Sequence, residues 1–154
     1  VDLDWANVHV MLTDERWVPE SSERSNTRLL RERLLTNHAA AATYIPLYAD
    51  AETPEEKLPE LAAVVKDELP ISVMLLGMGA DMHTASIFPG ADQLDLALHG
   101  DDLLVAMRAP GAPEPRITLS AKVLKSAMTA STRKPVIKPV RSNQWVPMSP
   151  TVRR

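Results

Sequence analysis

The sequence predicts an α/β domain built in layers, with a mostly parallel sheet flanked by helices. Three observations carry this expectation. "ISVMLLGMG" (71–79) is a continuous apolar run closed by glycines, the pattern of a strand covered on both faces, as in parallel sheets. "VHVML" (8–12) is a second apolar run rich in β-formers. Between them lie two segments of helical periodicity, so strand, helix, helix and strand follow in the order expected of layered α/β domains. Ligands in such sheets gather at the carboxyl ends of the strands. The stretches leaving the two strands, "TDER" and "GMGADMH", are therefore expected to share one crevice.

Taken in order, the strand over 8–12 ends at "TDER", and a loop is expected through "DERWVPESSERSN", where proline and serine block an early helix. "SNTRLLRERLLTN" follows as a helix, capped by Ser25 or Asn26, with Leu29, Leu30, Leu34 and Leu35 on one apolar stripe. "TYIPLY" (43–48) reads as a short strand broken by Pro46. In "DAETPEEKLPELAAVVKDEL", Thr53 is a capping residue, Pro54 takes the first helical position and Glu56 completes a capping box. Leu58, Leu61, Ala62 and Val65 then share a face, and Pro59 sits early enough to cost little. Beyond the central strand, "DLLVAMRAP" predicts a strand and "RITLSAKVLKSAM" a strand end passing into a helix. Residues 1–128 thus read as the α/β domain. Residues 129–154 are rich in proline and basic residues without periodicity, and are expected to form an irregular tail.

The bulk composition bounds the chemistry. A chain of 154 residues with 45% hydrophobic and 24% charged residues suits one soluble domain with a real core. Its net charge of −3 offers no global attraction to nucleic acid or to an anionic membrane, so an anionic ligand needs a local basic cluster. There are no cysteines, which removes disulfides, thiol nucleophiles and thiolate metal sites and agrees with a reducing cytoplasm. No apolar run approaches the roughly 20 residues of a membrane span. No pair of histidines has zinc-site spacing, and His9, His38 and His99 show no partner pattern. The sequence sets no oligomeric state.

"GMGADMHTASIFPG" (77–90) is the stretch that carries chemistry. Gly77 and Gly79 permit positive φ and close approach of a ligand to the backbone. Asp81 and His83 lie two apart, on one side of an extended segment, where the carboxylate can orient the imidazole and raise its basicity. Thr84 is expected to cap a short helix over "ASIF" and leave amides free for an anion. From the residues alone this is an anion-binding crevice with a candidate base. A lone loop histidine is more often an ordinary polar residue, and Arg16 in a D-E-R triplet is more often a solvated charge.

The combination of motifs goes further. "LLGMGADMHTASIFPG" resembles the signature loop of the 6-phosphogluconolactonases, within the glucosamine-6-phosphate isomerase/6-phosphogluconolactonase superfamily. "TDERWVP....RSN" resembles that family's aspartate-glutamate-arginine motif, and "PRITLS" its arginine-bearing strand start. The resemblance covers roughly residues 4–128 and implies a Rossmann-like layered fold. It further implies hydrolysis of 6-phosphoglucono-1,5-lactone in the oxidative pentose phosphate pathway, in the cytoplasm, with no metal or organic cofactor. By motif position, His83 is implied as the general base and Asp81 as the group that orients it. Arg16 and Arg116 are implied to meet the phosphate or the developing oxyanion, with Asn26, Gly79 and Thr84 lining the pocket.

Three departures from the family pattern bear on activity. The family's N-terminal strand and glycine-glycine-serine phosphate loop have no counterpart in the sequence, so N-terminal and C-terminal elements of the fold are expected to be lacking. Val8, Val10, Val73 and Leu75 are then expected to lose cover. Met82 replaces the family glycine between the aspartate and the histidine; at positive φ it would cost about 1–2 kcal/mol. After Met128 the family's hydrophobic strand, glycine and helix give way to the basic tail, which predicts a truncated, frame-shifted or spliced continuation. Reading the gene's other frames beyond the Met128 codon tests this, and no strand–glycine–helix continuation in any frame would count against a frameshift. Two rival functions follow: a lactonase-derived fragment without turnover, and a glucosamine-6-phosphate deaminase. The deaminase loop continues to a further acid, whereas here no carboxylate follows His83 before Asp92.

Overall fold

The computed structural model describes residues 3–133. Its α/β class is as expected, with the strands distributed over three short sheets. Strand β1 (His9–Met11) pairs in parallel with β3 (Thr43–Ile45), which stops immediately before Pro46. Strand β2 (Asp14–Arg16) runs antiparallel to β6 (Arg116–Leu119), and β6 antiparallel to β5 (Leu104–Met107). Strand β4 (Val73–Gly77) pairs in parallel with β7 (Thr129–Arg133). The parallel component is thus present beside an antiparallel sheet that the apolar patterning did not announce.

Helix α1 (Asn26–Arg33) starts at Ser25, whose hydroxyl accepts from the Arg28 amide. Ahead of α2 (Leu58–Asp67), the Thr53–Glu56 capping box forms, with the Glu56 carboxylate accepting from the Thr53 amide and hydroxyl, each at 2.9 Å. It encloses a separate 3₁₀ turn (Pro54–Glu56), and Pro59 falls in the first turn of α2 as expected. Leu61 and Val65 are buried, with Leu58 and Ala62 packed beside them. They meet Trp17, Leu47, Ile117 and Leu119 in the main core. A short α3 (Leu94–His99) and α4 (Ala121–Lys125) complete the helices, and a second cluster forms around Ala91, Ala97, Val105 and Met107.

Several expectations are corrected. "TDER" is not a loop: Asp14–Arg16 are strand residues, drawn into register with Thr118, Ile117 and Arg116. The α1 stripe is not a core face, since Leu29 and Leu34 are exposed and Leu30 and Leu35 half-buried; Thr27 is the buried residue. The helix is fixed by polar contacts at its N-terminus instead, and Leu29 and Leu34 join no core cluster among the described residues. Strand β4 is not buried on both faces: Met74 is buried, but Val73 and Leu75 are 74% and 66% exposed. These are two of the residues expected to lose cover, while Val8 and Val10 are half-buried. The reading of residue 129 onward as irregular fails over Thr129–Arg133, which follow β4 from Val73↔Thr129 to Gly77↔Arg133. An open strand edge needs backbone partners more than apolar side chains, and threonine suits an extended backbone. The remainder of the tail lies outside the described residues.

Candidate active site

Strand alternation divides the "DER" triplet. Asp14 and Arg16 share one face of β2, and Glu15 points the other way, fully buried. Its carboxylate accepts from the amides of Arg16 (2.7 Å), Asn26 (2.8 Å) and Thr27 (2.6 Å) and from the hydroxyls of Ser25 (3.2 Å) and Thr27 (2.6 Å). A negative group at a helix start meets both unpaired N–H donors and the positive end of the dipole, so Glu15 pins α1 to β2. The Thr27 hydroxyl also lies 2.6 Å from that of Tyr44, whose pKa is pushed up to about 12, chiefly by burial.

On the opposite face, Arg16 Nη1 donates to the Arg24 carbonyl (2.7 Å) and to Asn26 Oδ1 (2.8 Å), and Asn26 Nδ2 donates to the Asp14 carbonyl (3.2 Å). Register places Arg16 directly opposite Arg116. Arg116 is buried, with Nη1 3.8 Å from Asp14 Oδ2, and that carboxylate oxygen accepts a 2.7 Å bond from Ser86 Oγ. Burial first, and repulsion from Arg16 second, lower the Arg116 pKa below its ordinary value. The Nε atoms of both arginines are buried without a partner among the described residues. Like charges directly opposite one another destabilise a strand pair. Here the two facing guanidinium groups also carry buried donors with no partner among the described residues, which is chemistry suited to an anion.

The second cluster hangs from the end of β4. Asp81 Oδ1 lies 2.5 Å from His83 Nδ1, and this hydrogen bond holds the Asp81 carboxyl below its ordinary pKa. The Gly79 amide donates to the His83 carbonyl (2.9 Å), and the Met82 amide to the Gly79 carbonyl (3.0 Å). Asp81 and His83 therefore meet across a turn rather than along an extended segment, and Met82 takes φ 67° to make it. The expected strain at Met82 is present. Its side chain is 74% exposed, yet His83 keeps its bond to Asp81.

Glycine matters here for space, not for φ. Among the described residues only Gly90 and Gly111 are glycines at positive φ, which corrects the expectation for Gly77 and Gly79. A Cβ on Gly79 would collide with the His83 ring and the Asp81 carboxylate. Thr84 caps no helix. It opens a tight turn in which the Ile87 amide donates to its carbonyl (3.0 Å), with Ala85 at φ 51°.

Phe88 joins the clusters. Its ring stacks on His83 with centroids 4.2 Å apart and planes 29° from parallel, and the Arg116 guanidinium lies 5.5 Å from its centroid. The structure thus brings Arg16, Asn26 and Arg116 together around Asp14, and Gly79, Asp81 and His83 together at the strand end. Thr84 stands beside them in the turn. Sequence reasoning left Asp14, Glu15, Ser86 and Phe88 unassigned. The available signals were period-2 alternation through "DER" and the position of the chain's one phenylalanine, shortly after His83. A cleft of about 320 Å³ between α2 and β5 contains none of these residues and is mainly apolar. Among the described residues no group of three or more histidine or carboxylate side chains gathers in a way that could hold a metal. No helix among them is long and apolar enough to cross a membrane.

The family described as glucosamine-6-phosphate isomerases/6-phosphogluconolactonase matches residues 1–132. The chain belongs to this family. It is 48% identical over 129 residues to the 6-phosphogluconolactonase of Pseudomonas aeruginosa, covering 81% of this chain and 54% of that protein. It is 43% identical over 133 residues to the 6-phosphogluconolactonase of Rhizobium meliloti, covering 82% and 56% respectively. A crystal structure of a 6-phosphogluconolactonase from Shewanella baltica superposes with a TM-score of 0.82 at 37% identity, over 86% of this chain and 57% of that one. The chain therefore spans about half the length of the family members it matches.

Proposed function

We propose that the chain hydrolyses 6-phosphoglucono-1,5-lactone to 6-phosphogluconate, as a cytoplasmic step of the oxidative pentose phosphate pathway. The observation that carries this reading is the imidazole–carboxylate pair beside two facing arginines with unmet buried donors, spanned by one aromatic ring. The names of the family members it matches support the substrate class.

In this reading His83 Nδ1–H donates to Asp81, which leaves the Nε2 lone pair as the base. Nε2 takes a proton from water while the water oxygen bonds to the lactone carbonyl carbon, and the carbonyl π pair moves to oxygen. When the tetrahedral intermediate collapses, the bond from that carbon to the ring oxygen breaks. The proton on His83 then passes to the departing alkoxide, giving a carboxylic acid that ionises and a hydroxyl. A lactone is an activated ester, so no covalent nucleophile is required. Positioned base catalysis typically contributes about 10²- to 10⁴-fold. Asp81 holds the tautomer, and Arg16 and Arg116 offer planar forks to the phosphate or to the oxyanion. Asn26 fixes Arg16, while Gly79 and Thr84 shape the wall of the pocket. Repulsion between the two arginines in the free protein favours an anion in the bound one, which supplies locally what a net charge of −3 withholds.

A second reading, a family domain without turnover, is favoured by Met82 at φ 67° and by the half-length match. The deaminase reading lacks its further acid: Asp92 accepts from the amides of Gln93 and Arg108 (2.8 and 2.7 Å) and is committed to that turn. The deciding experiment generates fresh 6-phosphogluconolactone in situ and compares its loss with the spontaneous rate. The chain is expected to accelerate hydrolysis, and His83→Ala to reduce the acceleration by about 100-fold or more. A folded chain that leaves the spontaneous rate unchanged defeats the lactonase reading in favour of the second.

A further inference from the structure

We infer that Phe88 is a positioning residue that fixes the plane of the His83 imidazole. The inference rests on the proposed function for its catalytic consequence, but its structural core stands separately. The His83–Asp81 bond by itself is a weak restraint. The two side chains are 32% and 58% exposed, and water competes for a hydrogen bond between groups so open to solvent. One hydrogen bond at Nδ1 also fixes a point on the ring while leaving its plane free to swing.

The stacked Phe88 ring removes that freedom. At a centroid separation of 4.2 Å and 29° between planes, rotation of the imidazole out of the stack forfeits contact over a whole ring face. Gly79 closes in on the imidazole as well, since even a Cβ there would overlap it. Phe88 is itself anchored by the second core cluster, and its ring lies under the Arg116 guanidinium at 5.5 Å. The base is thus aligned through a residue that also contacts the arginine site, and the direction in which Nε2 points is set relative to Arg116. The contact has a particular use in this chain. Met82 at positive φ strains the turn that presents His83, and the stack opposes relaxation of that turn.

The test compares the full chain with Phe88→Leu and Phe88→Tyr. In the unaltered chain the His83 ring protons should be displaced upfield by the Phe88 ring current, and the ¹⁵N shifts should report one tautomer, protonated at Nδ1. Phe88→Leu should abolish the displacement and average the nitrogen shifts, and Phe88→Tyr should restore both. In the lactonase assay, kcat should fall about 10-fold or more in Phe88→Leu with KM near its original value, because misalignment of a reacting group acts on the chemical step. Phe88→Tyr should recover kcat. If Phe88→Leu fails to fold, Phe88→Met keeps the volume without the aromatic face. His83 spectra unmoved by loss of the ring, or equal kcat losses in the leucine and tyrosine variants, overturn the inference. An unaltered chain without lactonase activity defeats the proposed function instead, and the nitrogen shifts still decide whether Phe88 orients His83.

Discussion

The arginine half and the histidine half of the candidate site are built by opposite means. The arginines stand on β2 and β6, inside an antiparallel sheet whose residues are largely buried and whose reverse side is pinned to α1 through Glu15. His83 stands on a turn leaving β4, a strand with Val73 and Leu75 exposed, and reaches its geometry through Met82 and Ala85 at positive φ. One half is held by tertiary burial and the other by local contacts among Gly79, Asp81, His83 and Phe88. The difference teaches where incomplete cover falls. The chain matches about half the length of its relatives, and the exposed apolar residues Val73 and Leu75 lie on the strand that leads to the His83 turn.

The largest expected effect tests the buried half. Glu15→Ala removes the acceptor for donors at Arg16, Ser25, Asn26 and Thr27 at once, and of these the Thr27 hydroxyl keeps Tyr44 as a partner. The expected loss is about 3–5 kcal/mol, read by urea unfolding. A loss below about 1 kcal/mol would mean that the α1 start relaxes to water and that the two halves are equally loose.

The second effect tests the arginine pair. Inorganic phosphate should bind between Arg16 and Arg116 and stabilise the fold by about 2.7 kcal/mol at one hundred times its Kd. Arg116→Gln should abolish that stabilisation while easing the repulsion across the strand pair. Equal phosphate stabilisation in both proteins would locate anion binding elsewhere and remove Arg116 from the site.

The comparison also explains what could be read from the sequence. The Thr53–Glu56 box, the Leu61/Val65 face and the strand–helix passage through Arg116–Lys125 were legible because each is written in a local pattern. Gly79, Asp81, His83 and Thr84 stand out from the residues of the glycine loop alone, whereas Arg16, Asn26 and Arg116 need the resemblance of motifs, and the structure gathers most of them. "TDER" reads as a loop in the sequence because its strand character comes from β6, some hundred residues away, and a charged triplet carries no hydrophobic alternation. Burial on both faces of β4 was inferred from an apolar run, yet such a run states what a strand tolerates and not what covers it. Phe88 carries no signal in the sequence because its stacking on His83 depends on the turn at Thr84–Ile87, where the residues themselves suggest a helix start.

The smallest expected effect bears directly on the exposed face. Burying a valine or leucine side chain is worth about 1.5–3 kcal/mol, and a strand covered on both faces would lose a large part of that on substitution by a polar residue. At Val73 and Leu75, which are 74% and 66% exposed, little of that gain has been made. Val73→Thr and Leu75→Thr keep a β-compatible side chain, so each should change unfolding stability by less than about 0.5 kcal/mol. Met74→Ala on the same strand is the internal control: its side chain is buried in the main core, and truncation should cost about 2–5 kcal/mol. Adjacent residues of one short strand would then differ several-fold in their effect, which backbone propensity cannot produce and one-sided cover can. A loss of about 2 kcal/mol or more at Leu75 would show instead that the face is buried in solution against something outside the described residues, and the histidine half would have to be regarded as being as well supported as the arginine half.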